Sequence, residues 1–171
     1  FTRCEIWQSH VGPGCWPDCD MLPLGRIGVR FGQPRQTRFT PDEQKTLLTL
    51  WSIFRSPLIL GAELPSLDEA TLRLLTNRDV LRLNRHSFGA RQIVRDDAHA
   101  VWVSQDKDGS RYAALFNLSE KPREVSLDLR ELEGETFACR ELWSGEERTA
   151  QETLSCVIEP HGARLFRCTE C

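Results

Sequence analysis

Trp16, Asp18 and Asp20 stand at every second position of GPGCWPDCDML (12–22), the densest run of chemistry-bearing residues in the sequence. On an extended segment, residues two apart point the same way, so the three side chains are predicted to share one face. Aromatic rings stack on the apolar faces of sugars, and carboxylates accept hydrogen bonds from hydroxyls. A Trp/Asp/Asp face therefore suits a carbohydrate. The two glycines and the proline that open the run predict a tight entry turn.

The Asp18/Asp20 pair could also be the acid and nucleophile of a glycosidase. Residues two apart on a strand lie roughly 6.5–7 Å apart, and retaining enzymes hold their carboxyl groups at about 5–5.5 Å. Separation alone leaves that reading open. Direction argues against it, because the two groups must flank the scissile bond from opposite sides, whereas neighbours on one face look the same way. A third role is structural, with a carboxylate fixing the loop through backbone N–H groups. That role is favoured for Asp18.

Other reactive types are scattered. His10, His86, His99 and His161 have no Ser/Asp or Cys/Asn partner in a recognisable context, and lone residues do not mark sites. The seven cysteines are Cys4, Cys15, Cys19, Cys139, Cys156, Cys168 and Cys171. Cys15/Cys19 and Cys168/Cys171, with His10, could in principle hold zinc. Such spacings are nonspecific, and free or incidentally paired thiols are the preferred reading. No metal and no cofactor is expected.

The elements that must position these residues change character near residue 88. In TPDEQKTLLTLWSIFR (40–55), Thr40 and Glu43 predict a capping box, Pro41 suits the first helical turn, and Leu47, Leu50, Trp51 and Phe54 form an apolar stripe. Ser56-Pro57 predicts its end. A second helix is predicted from a Ser66/Glu69 capping box, with Leu67, Ala70, Leu74 and Leu75 buried, and a third stretch is capped by Asn77. The intervening PLILGAELP reads as a short buried strand or a packed connection. After Gly89 the period becomes two, and seven strands are predicted: 91–95, 100–105, 111–117, 123–129, 136–143, 154–159 and 163–167. Gly109 is available for a positive φ between the second and third. Trp51 and Phe54 are assigned to the helical core, and Trp102 and Trp143 to the interior of an antiparallel sandwich.

Bulk properties exclude some partners. A net charge of −3 over 171 residues, with scattered Lys and Arg, gives no reason to expect nucleic acid or an anionic membrane. No apolar run approaches the roughly 20 residues that span a bilayer. Phe1 is not an initiator and the only methionine is Met21, so the chain reads as a fragment and its localisation stays open.

GPGCWPDCDMLPLG closely resembles the G-P-G-x-W-x-D-x-D-M-L segment of family-27 glycoside hydrolases, the α-galactosidases and α-N-acetylgalactosaminidases, bacterial-like branch. The resemblance runs on through residues 36–85 and, less specifically, to IEPHGARLFR near the C-terminus. It implies an α+β, multidomain fold: residues 1–88 are the incomplete C-terminal end of a (β/α)8 TIM barrel, its final strand and helices, and residues 89–171 an antiparallel β-sandwich. It implies a fragment of a retaining enzyme that hydrolyses terminal α-D-galactosyl residues, with α-galactosides or related glycans as partners. Asp20 and Met21 then line the galactose pocket at the end of the last barrel strand, Asp20 by a hydrogen bond and Met21 by apolar contact. Trp16 is a packing residue first and a pocket wall second, with Asp18 in support.

No catalytic residue is assigned within the chain. The family's nucleophile and acid/base aspartates are expected upstream of Phe1, and a full barrel takes roughly 250 residues. The isolated chain is therefore expected to be inactive, with an exposed partial-barrel face that invites self-association. A non-catalytic carbohydrate-associated module, or a fragment of an α-N-acetylgalactosaminidase or β-L-arabinopyranosidase, are the alternatives. Cys15 and Cys19 depart from the family's usual residues, and near a pocket they are reactive if their pKa is depressed.

Overall fold

The structure, a computed structural model, describes residues 1–30 and 32–171. The helical part opens with α1 (Thr2–Trp7) and a two-residue antiparallel pair, β1 (Arg26–Ile27) with β2 (Arg35–Gln36). Helix α2 (Pro41–Phe54) starts on the predicted box: Glu43 N–H donates to Thr40 Oγ1 at 3.3 Å and Thr40 N–H to Glu43 Oε2 at 2.7 Å. It ends at Arg55, whose φ of 62° turns the chain out of the helix before Ser56-Pro57. The buried side is Leu48, Leu50, Ile53 and Phe54, while Leu47 and Trp51 are only half-buried. The stripe is thus rotated from the predicted one, because α2 is covered on two sides.

The second helix corrects its predicted start. Helix α3 (Glu69–Leu75) is capped by Asp68, whose Oδ1 accepts the Thr71 N–H at 2.8 Å. Ser66 lies in a 3-10 turn and gives its hydroxyl to Glu63 Oε2 at 2.6 Å. A carboxylate accepts a backbone N–H more strongly than a hydroxyl does, so Asp68 wins the cap. Ala70 is exposed, and Leu67, Leu74 and Leu75 are half-buried. Asn77 caps α4 (Arg78–His86) as expected, accepting from the N–H groups of Asp79 and Val80.

PLILGAELP is a packed connection with one pairing. Leu22 N–H donates to Ile59 O at 2.7 Å and Gly61 N–H to Leu22 O at 2.9 Å, a parallel bridge between Leu22 and Leu60. With α2 between the bridged residues, the parallel pairing spans a helical crossover. Leu60, beyond α2, thus lies beside the segment that carries Asp20 and Met21.

From Phe88 the chain forms an antiparallel sheet of eight strands, one more than predicted. They are β3 (Phe88–Arg95), β4 (His99–Gln105), β5 (Arg111–Asn117), β6 (Arg123–Asp128), β7 (Thr136–Glu141), β8 (Glu147–Gln151), β9 (Thr153–Ile158) and β10 (Ala163–Glu170), in the order β3-β4-β5-β10-β7-β8-β9-β6. The missed strand, β8, reads ERTAQ and buries only Ala150, so it carries no apolar alternation. Gly109, at φ 88°, makes the β4–β5 turn.

Strands β4 and β5 are buried on both faces, which explains their continuous apolar runs. Val101, Val103, Ala113 and Leu115 face Val125, Leu127, Leu154 and Ile158 inside the sandwich. The alternate residues, Trp102, Tyr112, Ala114 and Phe116, face Ile53, Phe54, Val80 and Leu83 of the helices. Trp102 is thus not a sandwich-interior residue. Its ring meets Phe54 edge-on at 6.0 Å and 84°. Trp143 also turns to the helices, donating Nε1–H to Thr49 Oγ1 at 3.0 Å.

One polar knot pins the same interface. Tyr112 O–H and Arg82 Nε–H both donate to Asp106 Oδ2 at 2.9 Å, tying α4 to the β4–β5 hairpin. Burial would raise the Asp106 pKa, but these two donors reverse that and hold it below the ordinary carboxylate range.

Candidate functional site

The 12–22 loop is built by reciprocal bonds. Gly12 N–H donates to Cys15 O at 3.0 Å and Cys15 N–H to Gly12 O at 2.8 Å. Pro13-Gly14 turns between them, with Gly14 at φ 88°, the position where a type II turn requires a positive φ. This is the predicted entry turn. Beyond it, Cys19 N–H donates to Ser56 Oγ at 2.9 Å, which fastens the loop to the end of α2.

Asp20 adopts φ 79°, in the left-handed region. That conformation costs a non-glycine residue of order 1–3 kcal/mol and persists only where the surroundings over-determine it. Here they do. Its N–H donates to Asp18 Oδ1 at 2.8 Å, its Oδ1 accepts the Met21 N–H at 2.6 Å, and its carbonyl accepts Trp51 Nε1–H at 3.0 Å. Asp18 thus fixes the loop through a backbone N–H. Trp51, assigned to the core from its spacing, instead stands half-buried and holds the Asp20 backbone.

The shared face expected of the three residues is not formed. Asp18 and Asp20 border one cleft of about 840 Å³, with Cys4, Trp7, Cys19 and Trp51. Trp16 lines a separate groove beside Arg55, Arg85 and His86. Its ring lies under the Arg55 guanidinium at 4.0 Å, a cation–π contact. Met21 is 54% exposed and backs onto Gly61, where an added Cβ would come within 3.1 Å of the Met21 Cβ.

Arg55 was not legible as part of this site. Its guanidinium donates to the carbonyls of Asn84 at 2.8 Å, Ser87 at 2.6 Å and Arg85 at 2.7 Å, closing the C-terminus of α4. Desolvation lowers its pKa. Among the described residues, no group of three or more His, Cys, Asp or Glu is placed to hold a metal ion.

Comparison with known proteins joins the two halves. The family model for alpha galactosidase A matches residues 1–86, and that for the alpha galactosidase C-terminal beta sandwich domain matches residues 96–168. The chain belongs to glycoside hydrolase family 27. This family-27 chain is 34% identical over 169 residues to alpha-galactosidase D of Emericella nidulans, covering 95% of the chain and 24% of the relative. Alpha-galactosidase 2 of Arabidopsis thaliana is 25% identical over 175 residues, 96% of the chain and 41% of the relative. Among solved structures, a family-27 β-L-arabinopyranosidase from Geobacillus stearothermophilus superposes with a TM-score of 0.96 at 46% identity, covering 100% of the chain and 41% of that structure. The family-27 chain therefore spans about a quarter to two fifths of the length of these relatives.

Proposed function

We propose that the chain forms one wall of the sugar pocket of a retaining family-27 glycosidase. Asp20 accepts a hydrogen bond from a sugar hydroxyl and Met21 gives apolar contact. Asp18 acts by bonding the Asp20 backbone and Trp16 by stacking under the Arg55 guanidinium. The observation that carries this reading is the strained Asp20, held at φ 79° by three hydrogen bonds beside an open cleft. Strain of that kind clusters at ligand-binding positions.

In this reading residues 1–88 are the end of the catalytic barrel and residues 89–171 the accessory sandwich. On the same reading, neither the nucleophile nor the acid/base is among these residues. One would attack the anomeric carbon and the other protonate the leaving oxygen. The substrate is a terminal α-D-galactoside or a β-L-arabinopyranoside, whose ring matches galactose without the C6 hydroxymethyl. The 46% identity to the Geobacillus arabinopyranosidase favours testing both.

The purified chain is expected to release no nitrophenol from aryl α-D-galactosides or aryl β-L-arabinopyranosides above the spontaneous rate. Turnover on either would place the catalytic carboxylates inside the chain and sink the proposal, and would revive Asp18 and Asp20 as candidates. Ile6, Trp7, Met21 and Ile59 are 65%, 52%, 54% and 48% exposed on the helical part. Apolar exposure of this kind drives association. Sedimentation velocity is expected to show a weight-average mass that rises with protein concentration; a monomer throughout would contradict it.

A further inference from the structure

All seven cysteines are free thiols, and two pairs of them stand close together. Cys4, on α1, and Cys19, in the sugar-site loop, bring their Sγ atoms to 4.0 Å. Cys4 is 6% exposed, whereas Cys19 is half-buried and borders the cleft. Cys139 and Cys168 are closer, with Sγ atoms 3.1 Å apart on paired positions of β7 and β10. They are 1% and 0% exposed inside the sandwich.

Proximity alone would rank the sandwich pair first. Access reverses the order, because thiol–disulfide exchange needs a thiolate that an incoming disulfide can reach. Of these four thiols, Cys19 is the half-buried one at the cleft, whereas Cys139 and Cys168 are almost fully buried. We propose that Cys4 and Cys19 form a thiol-modification site that exchanges with small-molecule disulfides and closes to an intramolecular disulfide.

The step balances without a further reagent. The Cys19 thiolate attacks one sulfur of the small disulfide, forming a mixed disulfide and expelling one thiolate. Cys4 gives its proton to that thiolate, and its sulfur attacks Cys19 Sγ, expelling a second thiolate that takes up the proton Cys19 released on ionising. One disulfide is reduced to two thiols while the two protein thiols are oxidised to one bond. That bond ties α1 to the loop that carries Asp20.

The electrostatics support these roles. Cys19 is lowered to about 7, first by the S–H of Cys4 and then by the Ser56 hydroxyl, against a desolvation that raises it. Cys4 is raised, first by that same bond to Cys19 and then by burial. Cys19 is the attacking thiolate and Cys4 the resolving thiol.

The test uses the Cys15→Ser variant, because Cys4, Cys15 and Cys19 all lie between Arg3 and Arg26 in one tryptic peptide. The folded chain is incubated with glutathione disulfide, unfolded, alkylated and mapped by mass. Peptide 4–26 is expected to be lighter by two hydrogens and unalkylated, with Cys139 and Cys168 both alkylated. A lasting glutathione adduct on Cys19 beside an alkylated Cys4, or a Cys139–Cys168 bridge formed first, overturns the proposal. In a Cys4→Ala variant, alkylation of Cys19 at neutral pH is expected to slow about tenfold as its pKa returns towards about 8.5. An unchanged rate would likewise overturn it. Neither readout depends on whether the loop binds sugar.

Discussion

Trp102→Ala is expected to remove about 3–5 kcal/mol of folding stability, a large share of the total for a domain of this size. Trp102 is fully buried where the sheet meets the helices, edge-on to Phe54 and in one cluster with Ile53, Val80 and Leu83. Truncation leaves a cavity in a surface that joins the two parts of the chain. Trp102→Phe separates packing from polarity. The indole Nε1 is buried without a hydrogen-bond partner among the described residues, so the phenyl ring loses volume but removes an orphaned donor. Its cost is expected to stay below about 1.5 kcal/mol. Urea unfolding checks both, as a lower midpoint at an unchanged slope. Equal costs for the two variants would show that the contact with Phe54 carries little of the interface.

Arg55→Ala is expected to cost about 3 kcal/mol, since charge-assisted hydrogen bonds contribute of order 1.5–3 kcal/mol each and are not additive. Three carbonyls at the end of α4 lose their donor, and Trp16 loses the cation stacked on it. Arg55→Lys is expected to recover less than half, because an ammonium cannot reproduce a planar fork. Arg55→Gly removes the left-handed strain at φ 62° and still loses the fork, so it should fall no lower than the alanine variant. Thermal or urea unfolding orders the three; a lysine variant as stable as the native chain would show that charge alone suffices.

Much of this arrangement was legible from local chemistry. Thr40, Pro41 and Glu43 announce α2 because their signals agree and nothing nearby competes. The Ser66/Glu69 box failed because Asp68, two residues on, offers a better acceptor to the same turn. Trp102 was placed on the wrong side because strands buried on both faces lose the alternation that distinguishes them. In the site, the residue types of 12–22 suggested carbohydrate, but the shared face of Trp16, Asp18 and Asp20 assumed an extended backbone. A positive φ at Asp20 cannot be read from spacing. Nor can the roles of Trp51, Arg55 and Ser56, which meet the loop from sequence positions more than 30 residues away.

The sequence contains one methionine, Met21, so a chain carrying ¹³C-methyl methionine gives a single methyl resonance from the proposed pocket wall. Titrated with D-galactose and L-arabinose, that resonance is expected to move saturably for at least one sugar. Asp20→Asn is expected to weaken the response about tenfold, as loss of a charged acceptor predicts. A methyl signal that ignores both sugars, or an Asp20→Asn chain that responds as the native one does, would contradict the assignment of Asp20 and Met21 to sugar binding.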